Sequence, residues 1–407
     1  MKLLFCNNHF ARDAVREKAS MGGAWIQNLI GELSLIHYYE ISVVLRGDKY
    51  STFERNNIKY YILPVSWFNK EAVAHKYLRK VLTLVNPDIL HIEGTEMAFA
   101  SDLFSLNKGK SIISIQGLIE GISDYETAGL SLSANLRFNS LRGFMILCIV
   151  HLNFQFRFKR RLKKELVLLS EGKYFLGRTL WDMAHVKAHN PSCIYFDCPR
   201  IISKEFYNKK WTLNTIRKDV YSVFIGNCST PRKGLHVAIK ALEVLMKSYP
   251  KITLRIAGHA PKKNGNIRYL DFINIMINKK KLKNNIEFTG PLDKIGMVQE
   301  FERCNLYLLP SLIENSPNTL AEAMTLGVPI VAASAGGIPS MIGDEQEGLL
   351  YRPEDYQMAA LQISRLLKDQ NLASKLGKAA QMRAVKRHNN SKILDNMVTT
   401  YDTVLND

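Results

Sequence analysis

The chain has 407 residues, 46% apolar and 23% charged, which excludes a disordered or fibrous protein and exceeds the size of one ordinary domain. Lys and Arg total 55 against 37 Asp and Glu, a formal charge of +18 that calls for an anionic partner: nucleic acid, an anionic membrane surface, or phosphorylated small molecules. The apolar start Met1–Cys6 is too short for a secretory signal, no run approaches the roughly 20 apolar residues of a spanning helix, and Cys6, Cys148, Cys193, Cys198, Cys228 and Cys304 lack zinc-like spacing, so free thiols and a cytoplasmic location are expected.

In chain order, short apolar strands are predicted at Lys2–Asn7, Glu40–Leu45, Lys59–Leu63, Asp88–Ile92 and Ser111–Ile115, with amphipathic helices at Ala24–Ile36 and Glu71–Val85 between them. Asn86-Pro87-Asp88 ends one helix and begins a strand, because Pro disfavours helix in the residue before it. The stretch Leu141–Lys164 then runs from apolar residues into Arg157, Lys159, Arg160, Arg161, Lys163 and Lys164. It reads equally as a helix on an anionic membrane surface and as a core helix with a solvated basic end; the net charge favours the membrane.

A polar, basic stretch from Ser203 to Asp219 reads as a linker. Beyond it strands are expected at Tyr221–Ile225, Ile252–Ala257, Ile286–Phe288, Leu306–Leu309 and Pro329–Ala333, and helices at Gly234–Lys247, Ile295–Arg303 and Pro317–Leu326, with a wholly helical end from Asp355. Strands alternating with helices in both halves predict an α/β protein of two doubly wound, Rossmann-like domains facing across a cleft. Ligands of such sheets bind at the carboxyl ends of the strands.

The most informative segment is Leu306–Gly337. An apolar strand runs to Leu309, a loop carries Glu314, and a helix follows with Ser316 as expected N-cap and Pro317 at its first position. First-turn amides suit an anion such as a diphosphate. Glu314 and Glu322, 322 − 314 = 8 positions apart, would repel phosphate and are suited to sugar or ribose hydroxyls. Either glutamate alone reads as a loop or surface residue; the whole constellation does not.

Pro310-Ser311, Glu314, Pro317-Asn318, Glu322-Ala323, Gly327-Val328-Pro329 and Gly336-Gly337-Ile338-Pro339 together resemble the E-x7-E signature of the GT-B retaining glycosyltransferases called family 4. The resemblance implies that Glu322 binds the donor ribose and Glu314 contacts the transferred sugar, with Asn315, Ser316, Asn318 and Thr319 on the donor side. Many members have Gly and an aromatic after the first Glu, where this chain has Asn315-Ser316.

Further blocks extend the resemblance. Phe224-Ile225-Gly226 followed by Pro231-Arg232-Lys233-Gly234 is similar to the family's donor-phosphate element, with Asn227 where many members carry Arg. Arg232 and Lys233 would neutralise the departing diphosphate. Gly22 and Gly23 resemble the N-terminal glycine loop that closes on the diphosphate. On the acceptor side stand His91, Gln116 and Arg178. Many members have His near Gln116; a glutamine cannot be a general base, so hydrogen bonding is expected of it. Gly177-Arg178-Thr179-Leu180-Trp181-Asp182 resembles a motif of a bacterial polysaccharide branch, with Thr179 as a helix cap and an Arg178–Asp182 ion pair as the structural alternative.

The expected organisation is therefore an acceptor-binding domain over 1–205, a nucleotide-sugar-binding domain over 206–380, and a C-terminal helix, 381–407, crossing back to the first. The expected reaction is metal-independent, retaining sugar transfer from a nucleoside-diphosphate sugar to a saccharide or lipid-linked acceptor, in bacterial surface polysaccharide synthesis. No strand-end D-x-D motif is present to hold a metal, and no cofactor is expected. No carboxylate stands out as a covalent nucleophile; by family analogy the leaving phosphate helps deprotonate the acceptor. Two rival readings are a GT-B nucleotide-sugar epimerase or hydrolase, and a basic nucleic-acid binder. The second lacks any module interleaving aromatic and basic residues, so no nucleic-acid partner is expected.

Overall fold

In the computed structural model the described residues are 1–11, 24–36, 38–66, 72–107, 109–126, 156, 158–216, 220–226, 228–260 and 268–407. They form two compact units, one of Met1–Glu120, Ile149–Ile201 and His388–Asp407, the other of Gly121–Cys148 and Ile202–Arg387.

Among the described residues the first unit holds an eight-stranded sheet of order β3-β4-β2-β1-β5-β6-β7-β8. The strands are β1 (Lys2–Ala11), β2 (Glu40–Gly47), β3 (Ser51–Arg55), β4 (Ile58–Pro64), β5 (Ile89–Glu93), β6 (Ser111–Ser114), β7 (Tyr174–Gly177) and β8 (Ile194–Asp197). All neighbours pair in parallel except β3 with β4. The central strands are buried on both faces, which is why Leu3-Leu4-Phe5-Cys6 reads as a continuous apolar run rather than an alternation. The antiparallel edge strand β3 has no signal in the sequence: Ser-Thr-Phe-Glu-Arg buries little and has no apolar run.

Helices α1 (Ala24–Ser34), α2 (His75–Val85), α3 (Ala98–Leu106), α5 (158–171) and α6 (Leu180–His189) belong to this unit, and the short α4 (Ile119–Ile122) spans its boundary with the second. In α2, Leu78, Val81 and Val85 are the buried face, and the helix stops at Asn86 in the left-handed conformation. In α6, Thr179 and Asp182 form a reciprocal capping box.

The second unit holds a six-stranded parallel sheet of order β11-β10-β9-β12-β13-β14, again among the described residues. It comprises β9 (Ser222–Ile225), β10 (Thr253–Ala257), β11 (Ile286–Gly290), β12 (Leu306–Leu309), β13 (Ile330–Ala333) and β14 (Leu349–Tyr351). Its helices are α7 (Leu235–Leu245), α8 (Arg268–Lys279), α9 (Lys294–Arg303), α10 (Asn318–Leu326), α11 (Ile338–Met341), α12 (Tyr356–Lys368) and α13 (Gln370–Arg387). Phe301 lies edge-on to Phe224 and Tyr307 at 5.2 and 5.3 Å, packing α9 onto the central strands.

The last helix, α14 (Asn390–Asn406), buries Ile393, Met397, Tyr401 and Val404 in the first unit's core. The expected polar linker is a correction. Phe206 and Trp211 are buried in the second unit's core, and the Trp211 indole donates to the Cys304 carbonyl at 2.8 Å, so two aromatic anchors tie down the flanking lysines. Of Leu141–Lys164, residues 141–155 and 157 lie outside the described residues. The remainder opens α5, whose Glu165, Leu168 and Leu169 are buried. Among the described residues no helix is long and apolar enough to cross a membrane.

Candidate active site

The second unit gathers three loops at the carboxyl ends of β9, β12 and β13. After β9, a single 3-10 turn, Pro231–Lys233, leads through Gly234 into α7. Gly234 has φ +71°, and a Cβ there would collide with the Pro310 carbonyl oxygen, so only glycine lets the two loops touch. The Leu312 amide donates to the Arg232 carbonyl at 2.8 Å. After β13, Gly336 (φ +55°) packs against the Glu314 carbonyl, which accepts from the Gly337 amide at 2.8 Å. Three segments distant in sequence are thereby fixed around Glu314.

The Glu314 carboxylate is buried. Its Oε1 pairs with Lys233 Nζ and accepts from Ser311 Oγ at 2.8 Å. Burial alone pushes the Glu314 carboxyl up, but Lys233, Arg232 and Ser311 outweigh it and hold the group below the usual carboxylate value. Glu322, inside α10, is the opposite case. It makes no hydrogen bond among the described residues, and burial pushes it up to about 7, with Lys294 pulling it partly back. One carboxylate is satisfied by protein; the other has acceptor capacity to offer a ligand.

A cavity of about 270 Å³ opens between the β9 and β12 loops, with Gly226, Arg232, Lys233, Ser311 and Thr319 in its wall. Glu314, Asn315, Ser316, Asn318 and Glu322 sit on the adjoining loop and helix without lining it. Tyr307, wholly buried, donates from its hydroxyl to Thr319 Oγ1 at 2.7 Å and anchors the start of α10 to the strand. Arg232 Nε lies 3.2 Å from Glu126 Oε1, so this cation is already engaged by a carboxylate.

Two local expectations are corrected. Ser316 is not the N-cap: α10 begins at Asn318, and Pro317, extended at ψ 125° with no side-chain cap, holds that position. Arg178 does not pair with Asp182 through its guanidinium. The Asp182 carboxylate is taken by the Arg178 and Thr179 amides and the Tyr195 hydroxyl, which leaves the guanidinium to reach elsewhere. Gly22, Gly23 and Asn227 lie outside the described residues.

In the first unit, His91 within β5 and Gln116 and Arg178 just beyond β6 and β7 converge on one residue, Glu93, the last of β5. Gln116 Nε2 donates to Glu93 Oε1 at 2.7 Å, Arg178 Nη2 lies 3.5 Å from the same oxygen, and His91 Nε2 lies 3.6 Å from Oε2. Arg178 also donates to the Ile115 carbonyl and to Ser114 Oγ. Burial raises the Glu93 carboxyl, but His91, Arg178 and Gln116 together bring it below the usual value. One carboxylate at a strand end carries no signal in the sequence, so Glu93 is not among the expected site residues; its three partners are, through the resemblance.

The described residues contain no group of three His, Cys, Asp or Glu side chains placed to hold a metal ion. Taken over its length, the architecture is the GT-B fold, two Rossmann-like α/β units with parallel sheets. Sucrose-phosphate synthase from Thermosynechococcus elongatus is similar over 99% of this chain and 98% of that one, with TM-score 0.77 and 16% identity. HepE from Anabaena, solved in complex with UDP-glucose, is similar over 99% and 100%, with TM-score 0.71 and 16% identity. At such identity the likeness is one of fold.

Residues 205–383, which carry the cavity and both glutamates, match the family described as glycosyl transferases group 1. Among curated relatives, sulfoquinovosyl transferase SQD2 of Arabidopsis thaliana is 29% identical over 155 residues, 37% of this chain and 28% of that protein. The chain spans between 28% and 35% of the length of the first curated relatives it matches.

Proposed function

We propose that this chain is a glycosyltransferase of the group 1 type, moving a sugar from a nucleoside-diphosphate sugar to a saccharide or lipid-linked saccharide acceptor with retention of configuration. The observation that carries the reading is the pair of unlike carboxylates beside one cavity: Glu314 clamped by Lys233 and Ser311, and Glu322 with no hydrogen bond among the described residues. A diphosphate seated against Gly226, Lys233 and Thr319 would place its charge beside a fixed cation. Glu322 would accept the ribose hydroxyls, and Glu314 would keep Lys233 aimed while its remaining oxygen meets the sugar.

In this reading Arg232 and Lys233 stabilise the leaving diphosphate as its bond to the sugar breaks, and the departing phosphate oxygen takes the acceptor proton on the same face. No metal ion is assigned a part. The resemblance assigns Gly22 and Gly23 to donor binding and His91, Gln116 and Arg178 to the acceptor side. The first unit is the acceptor side and the second the donor side, with α14 returning to the first. The family 4 signature and the Gly177–Asp182 block favour bacterial surface polysaccharide synthesis as the setting. The basic segment 141–164 favours peripheral attachment to the inner face of the membrane.

The test is a panel of nucleotide sugars, beginning with UDP sugars because a structure of like fold holds UDP-glucose. Binding should raise the melting temperature for one nucleotide class, and nucleoside diphosphate should be released only when acceptor is supplied. Release without acceptor would favour the epimerase or hydrolase reading. Binding of none would refute the donor site.

A further inference from the structure

Glu165 lies in α5, wholly buried, and no cation among the described residues touches its carboxyl. Its neighbour Lys164 turns away to Asp102 of α3, at 2.6 Å. What meets Glu165 comes from two strand-end loops. Thr95 Oγ1, after β5, lies 2.6 Å from Oε1. The amides of Ile119 and Glu120, opening α4 after β6, donate to Oε2 at 2.8 and 3.3 Å. Thr95 Oγ1 also lies 3.2 Å from the Gly117 carbonyl oxygen, so the same hydroxyl joins the two loops to each other.

Counting protons decides the charge of this group. A threonine hydroxyl carries one proton. Were Glu165 ionised, that proton would go to Oε1, and the Gly117 carbonyl would go without it. As the neutral acid, Glu165 donates its own proton to Thr95 Oγ1, Thr95 donates onward to Gly117, and Oε2 keeps both amides. Every bond in the chain is then made, which matters most in a buried site. The surroundings act in the same direction. Burial is the largest influence and pushes the carboxyl up to about 8; the Thr95 bond opposes it, the charge of nearby Glu96 adds to it, and the two amides oppose it. Of the other charged groups on the elements around it, Asp102 is paired with Lys164, and the Glu120 carboxylate is held by His185 and His189 of α6.

We propose that Glu165 is a positioning residue for the acceptor side: held as the neutral acid, it ties the loops after β5 and β6 to α5 through Thr95, and so fixes the segment that carries Gln116. This rests on the glycosyltransferase reading for what that segment meets. The tie itself is a property of the first unit alone. Ionisation undoes one link. As pH rises through about 8, Thr95 turns to the carboxylate, the Gly117 carbonyl loses its donor, and the loop after β6 is released at that point.

The experiment uses the full chain, labelled with 13C and 15N, as wild type, Glu165→Gln and Thr95→Val. Glu165→Gln is the uncharged isostere, whose NH2 donates to Thr95 as the acid's hydroxyl does. The glutamate carboxyl signal that this variant lacks is that of Glu165. In wild type it should titrate with a midpoint of about 8, and the Gly117 carbonyl 13C shift should move with it. In Glu165→Gln the Gly117 shift should stay level across that range, and in Thr95→Val it should hold the high-pH value throughout. In turnover, with the donor and acceptor identified by the nucleotide-sugar panel, the wild-type acceptor KM should rise about fivefold across the titration while the donor KM moves less than about twofold. Glu165→Gln should keep the lower acceptor KM at every pH, a rescue that loss of folded protein would not give. A Glu165 signal that titrates at the ordinary glutamate value, or an acceptor KM that ignores the titration, would overturn the proposal. Should Thr95→Val not fold, Glu165→Gln still decides. A wild type that turns over no nucleotide sugar, yet shows both titrations, would defeat the functional reading and leave the tie standing.

Discussion

Lys233 and Glu314 stand 81 positions apart in sequence, on loops following different strands, and form an ion pair whose carboxylate is buried and braced by Ser311. Each partner makes the other tolerable: the cation offsets burial of the acid, and the acid holds the cation beside the cavity. Removing one therefore strands the other.

For that reason Lys233→Met should cost about 3 kcal/mol in denaturant unfolding, as an uncompensated buried carboxylate does. It should also lower kcat/KM about 100-fold, the scale for losing one preorganised charge on a leaving group. Steady-state kinetics alongside urea melts separate the two effects. Kinetics indistinguishable from wild type would remove Lys233 from the reaction.

Glu322 gives a pH signature. Its carboxyl is raised from 4.5 to about 7 in the folded chain, so the folded state holds the proton more tightly than the unfolded one. Its stability contribution is fully present below 4.5 and is lost as pH rises to about 7. Glu322→Gln should flatten that part of the stability profile. Ribose hydroxyls donate to the ionised form, so donor affinity in wild type should climb with pH up to about 7 and level off above it. Calorimetric titrations at several pH values would test this, and Glu322→Ala should raise the donor KM at every one of them.

Gly234→Ala adds a Cβ against the Pro310 carbonyl at a backbone angle of φ +71°. The loops cannot part without moving Arg232 and Lys233, so the expected loss is on the order of 2 kcal/mol, read by thermal unfolding. Donor affinity should fall with it.

Peripheral membrane attachment predicts co-sedimentation of the chain with anionic vesicles at low salt, weakened by added salt. Equal sedimentation with neutral vesicles would argue for core packing of the 141–164 segment.

The β-strands of both sheets were legible wherever a buried parallel strand leaves an unbroken apolar run, as in Leu306–Leu309, which the structure matches residue for residue. Short or half-exposed strands were not: Ser51–Arg55 and Leu349–Tyr351 carry too little apolar sequence to stand out. In the site, the cations and both glutamates were legible because each falls in a short block of local sequence, a loop or the helix that follows it. What joins loops was invisible. Neither the pairing of Lys233 with Glu314 nor the convergence of His91, Gln116 and Arg178 on Glu93 can be deduced from spacing, since each depends on which strand ends lie side by side.

The placement of α14 also governs how the protein comes into being. The first unit opens the chain, but its core takes in Ile393, Met397, Tyr401 and Val404. On the ribosome the second unit, bounded by Ile202–Arg387, emerges complete while the first still lacks one wall. The first unit's sheet must therefore wait, partly uncovered, until residues 393–404 are made, and a nascent chain stalled before residue 390 would hold a finished second unit and an unfinished first.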